Sequence, residues 1–184
     1  MTHVPDLNKR LSAFIQIILL FILPVILLYS GVLPVERRFL ILVGVITLMI
    51  GILIKERWNL KNLGIRLDNL KTSLLPYLLF TTTVVAVITV LALSLGRGFQ
   101  ESWWQNPHFL YFILPVSVFQ EFAYRGFLIP KLKTLSSSTT VVIVSNALLF
   151  ALLHIIFPDA LFTFFLTFLL GLGFAAMYDR YPNL

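Results

Sequence analysis

The chain has no cysteine, which excludes disulfide bridges, thiolate metal ligands and a cysteine nucleophile together. Charge is nearly as scarce. Of 184 residues only 12% are charged, against 59% hydrophobic, where soluble domains carry about 25% charged residues. A soluble fold is excluded on that ground. Asp and Glu number eight and His three, so a site that needs carboxylates or imidazoles has few positions to draw on. The formal charge is +6, but the basic residues sit in short connections beside apolar runs. Positive-inside topology accounts for them without a nucleic-acid partner. No internal repeat or low-complexity linker is visible.

What is present is apolar sequence in blocks near the ~20 residues a helix needs to cross ~30 Å of hydrocarbon. The expected fold is all-α: a polytopic transmembrane helical bundle of about six spans plus one interfacial amphipathic segment, in a single membrane domain 1–184. The spans are read as Leu11–Pro34, Phe39–Ile54, Ser73–Gly96, Phe109–Leu132, Thr139–Phe157 and Ala160–Tyr178. The first is longer than the ~7–15 apolar residues of a signal peptide and lacks its small-residue cleavage site. Lys55 to Thr72 is different in kind: five of the fourteen Lys and Arg residues alternate with Leu60, Leu63, Leu67 and Leu70. Such a basic amphipathic stretch lies in the headgroup plane, although Gly64 works against a continuous helix. With the N-terminus inside, ten of the fourteen basic residues fall on the side of the termini, three on the other side, and Arg125 lies within a span. This places both termini in the cytoplasm of what is read as a bacterial plasma membrane, with the bilayer itself as a partner.

Ionisable residues inside spans are expensive, so each is a candidate for function. Glu121 and Arg125 stand four apart on the fourth span and share a helix face. They are either a buried ion pair that neutralises two costly groups or a carboxylate tuned by its arginine. On the fifth span Asn146, Phe150 and His154 form one stripe at four-residue spacing. A glutamate on one helix and a histidine on the next can hold and deprotonate a water. They can also contribute to a metal site, but catalytic zinc wants three protein ligands and there is no HExxH. No metal or cofactor is therefore assigned. Gly171 to Ala175 is a small-xxx-small helix contact.

Gln120-Glu121-Phe-Ala-Tyr-Arg125-Gly126-Phe127-Leu128, followed by Phe150-Ala-Leu-Leu-His154, resembles the CPBP family, the CAAX protease and bacteriocin-processing membrane proteins that include type II CAAX prenyl endopeptidases. The family's motifs are Glu-Glu-x-x-x-Arg and Phe-x-x-x-His, and the resemblance runs from about Leu60 to the C-terminus, 73–184 forming the CPBP-like region. It implies an intramembrane endopeptidase in which glutamate and histidine activate water. Carried over, Glu121, His154, Arg125 and Gln120 are the catalytic set, and Phe150, Asn146 and Tyr124 face a membrane-associated or lipidated peptide. Two departures follow from the same comparison. Gln120 stands where the family has its first glutamate, and the family's third motif, His-x-x-x-Asn or Asp, is not found before Leu184, so further chain is expected beyond it. Neighbouring residues on a helix point ~100° apart, so Glu121 does not automatically replace position 120. The span boundaries also put Glu121 and His154 on the order of 10 Å apart in depth. A non-enzymatic bacteriocin-immunity or scaffold protein that binds a peptide in the same cavity is the alternative. A proton relay in a small transporter is a third.

Overall fold

The computed structural model describes residues 6–98 and 102–184. Residues 1–5 of the polar leader and 99–101 of the loop before the fourth span lie outside the described residues. Among the described residues there is no strand, and six helices are long and apolar enough to cross a membrane. They are α1 (Leu7–Tyr29), α2 (Val35–Lys55), α3 (Leu70–Ser94), α4 (Phe109–Leu135), α5 (Thr139–Ile156) and α6 (Ala160–Arg180). The expected spans are all there, with ends displaced by a few residues. The start of α1 moves up to Leu7 because the Asp6 carboxylate accepts from the Asn8 N–H and caps the helix.

Prolines shape two of these helices. Pro24, Pro115 and Pro130 each follow a π-helical stretch, Ile18–Ile22, Phe109–Ile113 and Phe122–Leu128 respectively. Proline lacks an N–H and its ring presses on the carbonyl four residues back. A wider turn just upstream absorbs that mismatch while the helix continues. In α4 the widened stretch is also the centre of the molecule, since every residue from Ala123 to Ile129 is buried. Phe21 of α1 meets the Tyr124 ring edge-on at 5.2 Å, and Trp58 stacks on Phe127 at 6.1 Å.

Lys55–Thr72 takes another form than a helix on the headgroups. Leu60–Leu63 is a single 3-10 turn closed by Gly64, whose φ is +80°. Leu63 is buried while Leu67 is 87% exposed, so the leucines do not share one face. Gly64 is required twice over: its conformation is left-handed, and the Tyr178 ring fills the space a Cβ would take. The turn tucks under α4, and α3 begins beyond it at Leu70. Along α3 most side chains are exposed. It leans on α6 through the Phe80–Phe174 ring pair at 5.1 Å, and its Tyr77 hydroxyl donates to the Tyr181 carbonyl at 3.1 Å. By contrast α5 and α6 pack closely, Gly171 lying against Ala147 with Ala175 fully buried.

The end of the bundle that carries both termini is tied by one carboxylate. Glu56 accepts from Lys131 Nζ at 2.5 Å, from Gln16 Nε2 at 2.9 Å and from Trp58 Nε1 at 2.9 Å. This joins α1, the end of α2 and α4. Lys131 is 5% exposed, with its ammonium also 5.1 Å from the centre of the Trp58 ring. Burial pushes the Glu56 carboxyl up, but the hydrogen bonds outweigh it and hold the group below the ordinary glutamate range. A carboxylate depressed in the folded state contributes stability that is complete above its unfolded pKa, ~4.3. That stability is lost as pH falls through the lower, folded value. Glu56→Gln is therefore expected to lower stability near neutral pH by roughly 1–3 kcal/mol, because Lys131 keeps its burial and loses its charged acceptor. Below pH 4 the difference between variant and wild type should shrink. Melting temperatures in detergent across that range check it, and a constant offset would count against the linkage.

Candidate active site

Helix register decides which polar residues meet. Helices α4 and α5 run antiparallel, and the Tyr124 hydroxyl donates to the Leu149 carbonyl at 3.2 Å. The Arg125 guanidinium lies 4.8 Å from the centre of the Phe150 ring. One turn back along α4 and one turn on along α5, positions 120 and 121 come level with 153 and 154. The depth mismatch expected between the two motifs is thus absent. Counting from span ends misjudged it, since α4 runs on to Leu135 and contains two π-helical stretches.

A cavity of about 370 Å³ opens between α1, α2, α4 and α5, and Gln120, Tyr124 and His154 all line it. Ser117, one turn before Gln120, lines it too. So do Arg38, which the sequence presented only as a basic residue beside a span, and His108, the end of a polar loop. The three-residue spacing of Ser117 to Gln120 was the available signal for the first; nothing in the sequence marked the other two. No Asp or Glu stands on the cavity wall among the described residues.

The remaining expected residues sit behind or beside that wall. Glu121, one residue on, turns away from the cavity and stands 3.4 Å from Arg125 Nε. Arg125 is 1% exposed and makes no hydrogen bond; its guanidinium lies between the rings of Phe150 and Phe174, at 4.8 and 5.2 Å. The Asn146 side chain is completely buried, and its Nδ2 donates to the Tyr124 carbonyl at 2.6 Å. That carbonyl belongs to the π-helical stretch, where the regular helix ladder is disturbed. Phe150 packs edge-on against Tyr124 at 5.2 Å and beside His154 at 4.7 Å. These four residues fix the wall and its register; they do not line the cavity.

His154 is set for one protonation pattern. Its Nδ1 lies 2.8 Å from the Phe150 carbonyl oxygen. A carbonyl only accepts, so Nδ1 carries the hydrogen and Nε2 keeps its lone pair. The α-helical part of α5 ends at Leu153, and His154 opens the 3-10 turn His154–Ile156 that finishes it. The Gln120 amide makes no hydrogen bond within the described chain, which leaves both its donor and its acceptor available. No three His, Asp or Glu side chains converge among the described residues in a way that would hold a metal ion.

Residues 102–184 match the family model described as Type II CAAX prenyl endopeptidase Rce1-like. The chain carries an Rce1-like region. It takes in α4, α5 and α6, and hence Gln120, Tyr124 and His154. The Rce1-like region supplies one side of the cavity, and α1 and α2, which precede it, supply the other. With six helices long and apolar enough to cross a membrane and an Rce1-like region over 102–184, the protein is an integral membrane protein. No curated protein and no solved structure matches the chain.

Proposed function

We propose that the cavity receives a membrane-associated peptide, as in a CAAX-type intramembrane endopeptidase, with His154 and Gln120 meeting the peptide bond. The observation that carries this reading is that the two side chains line one cavity at one level, His154 with its Nε2 lone pair free. In hydrolysis Nε2 takes a proton from the attacking water and later returns it to the leaving amine. The Gln120 amide N–H donates to the carbonyl oxygen as negative charge develops there, a form of preorganised stabilisation. Gln120 cannot accept the second proton that a glutamate would, so turnover by this chain is expected to be slow.

A second reading has its own observation. A cavity wall on which no carboxylate stands among the described residues suits a protein that binds a membrane peptide and leaves it whole, as an immunity or scaffold protein would. The two are separated in liposomes with a lipidated, fluorophore-quencher peptide. If the chain is a peptidase, His154→Ala lowers kcat by roughly 10²-fold or more, the share a general base contributes, and leaves binding nearly unchanged. If wild type binds the peptide and produces no fragment above the His154→Ala background, the binding reading replaces the catalytic one.

A further inference from the structure

The side of the cavity formed by α1 and α2 has no part in the chemistry above, yet it is built for a different contact. Leu20, Val25 and Leu28 of α1 face Leu42, Val45 and Met49 of α2, and this wall offers no polar side chain until its rim. At the rim stands Arg38, with His108 across the opening on α4's approach. The Arg38 guanidinium lies over the rings of Phe112, at 5.9 Å, and Phe157, at 5.5 Å. His108 stacks on the same Phe112 ring at 4.9 Å. Among the described residues Arg38 has no carboxylate within 4 Å and donates no side-chain hydrogen bond. Contact with rings uses none of its N–H groups, which remain available as a fork that fits a planar or tetrahedral anion.

Depth says which anion. Arg38 opens the regular part of α2, at the membrane boundary, and Met49 follows eleven residues later, ~16 Å deeper at 1.5 Å per residue. An occupant lying along this wall therefore has an anion at headgroup level and an apolar chain running toward mid-bilayer. A peptide laid there would find no backbone hydrogen-bond partner along α1 and α2 and would bear the cost of unpaired amides. A phospholipid has that shape already and is present around the protein at all times.

We propose that Arg38, assisted by His108, holds the phosphate of an anionic phospholipid whose acyl chain enters the cavity along α1 and α2. The site does not depend on hydrolysis. A lipid seated there narrows the cavity opposite Gln120 and His154, so it competes with any longer apolar group brought in by a peptide.

The test reads retained lipid and not cleavage. The full chain is reconstituted in vesicles of equimolar phosphatidylglycerol and phosphatidylcholine and re-extracted in mild detergent, and bound lipid is quantified. Wild type should retain about one phosphatidylglycerol per chain, at least fivefold in excess over phosphatidylcholine. Arg38→Gln should abolish the preference, and Met49→Trp, which fills the deep end, should lower retention of both lipids. Arg37→Gln removes a neighbouring exposed cation that does not line the cavity and should change nothing. Inorganic phosphate at millimolar concentration should not displace the lipid. The proposal is overturned if the preference survives Arg38→Gln, if Arg37→Gln erases it equally, or if Met49→Trp leaves the amount of retained lipid unchanged. It is also overturned if wild type shows no preference while an unlipidated peptide with a free carboxylate binds in an Arg38-dependent way.

Discussion

Gln120→Glu is expected to raise the rate of peptide cleavage about 10²-fold, the lower end of what a positioned acid–base group contributes, with peptide affinity within a factor of a few. The two side chains differ by one terminal atom, so packing is unchanged and the gain is chemical. Position 120 lines the cavity at the level of His154, and the cavity gives a new carboxylate access to water. The carboxylate and Nε2 of His154 would then offer two acceptors to one water, where the amide offers a weak acceptor that cannot take a proton. Glu121→Gln is the control. It makes the reverse change one residue away, on a side chain that turns from the cavity toward Arg125, and should leave cleavage within about threefold. Rates in proteoliposomes, with folding verified by detergent melts, decide it. Should Glu121→Gln abolish cleavage while Gln120→Glu does nothing, the catalytic carboxylate is Glu121 and the cavity described here is not where the bond is cut. Should neither variant cleave while both bind peptide, the protein is a binder.

Why position 120 and not 121 faces the cavity is a question the sequence alone could pose but not answer. Long apolar runs made the six helices legible, because a membrane span needs little more than length and hydropathy. The polar positions within spans were legible for a related reason: Glu121, Arg125, Asn146 and His154 are costly in hydrocarbon and stand out against their surroundings. Rotation and register are another matter. One residue on a helix is ~100° of rotation, and the π-helical stretches before Pro115 and Pro130 alter the phase in a way that hydropathy does not report. Pairing across the chain was equally hidden. Lys131 counted only as one of the ten basic residues on the side of the termini, and nothing in the sequence marked Glu56; that they meet at 2.5 Å beneath Trp58 depends on the packing of α1, α2 and α4 together. Arg38 was read as one of three basic residues on the side away from the termini, a reading silent about the cavity it lines.

Arg125→Ala is expected to be the most destabilising single change in the molecule, by about 3–5 kcal/mol. Two effects add. The guanidinium fills the space between Phe150 and Phe174 at 1% exposure, so truncation opens a void that joins α4, α5 and α6, and large-to-Ala changes in a core cost about 2–5 kcal/mol. Removal of the cation also leaves the Glu121 carboxylate without its partner, and two contacts between cation and ring are lost at about 0.5–2 kcal/mol each. Desolvation of the guanidinium works the other way, since a charge held in the interior is often no better than an apolar group of the same volume. That opposition gives the prediction its edge. Arg125→Met combined with Glu121→Gln keeps the volume and removes both charges, and should recover most of the loss, to within about 1–2 kcal/mol of wild type. The double variant should also be more stable than Glu121→Gln alone, which strands a buried cation; such coupling is the mark of two groups that act as a pair. Unfolding in mixed micelles measures all four proteins. If the double variant is as unstable as Arg125→Ala, the charge itself is needed and Arg125 is more than a wedge between rings. If it folds and still binds peptide, the Glu121–Arg125 pair serves the wall of the site, and the chemistry belongs to the residues that line the cavity.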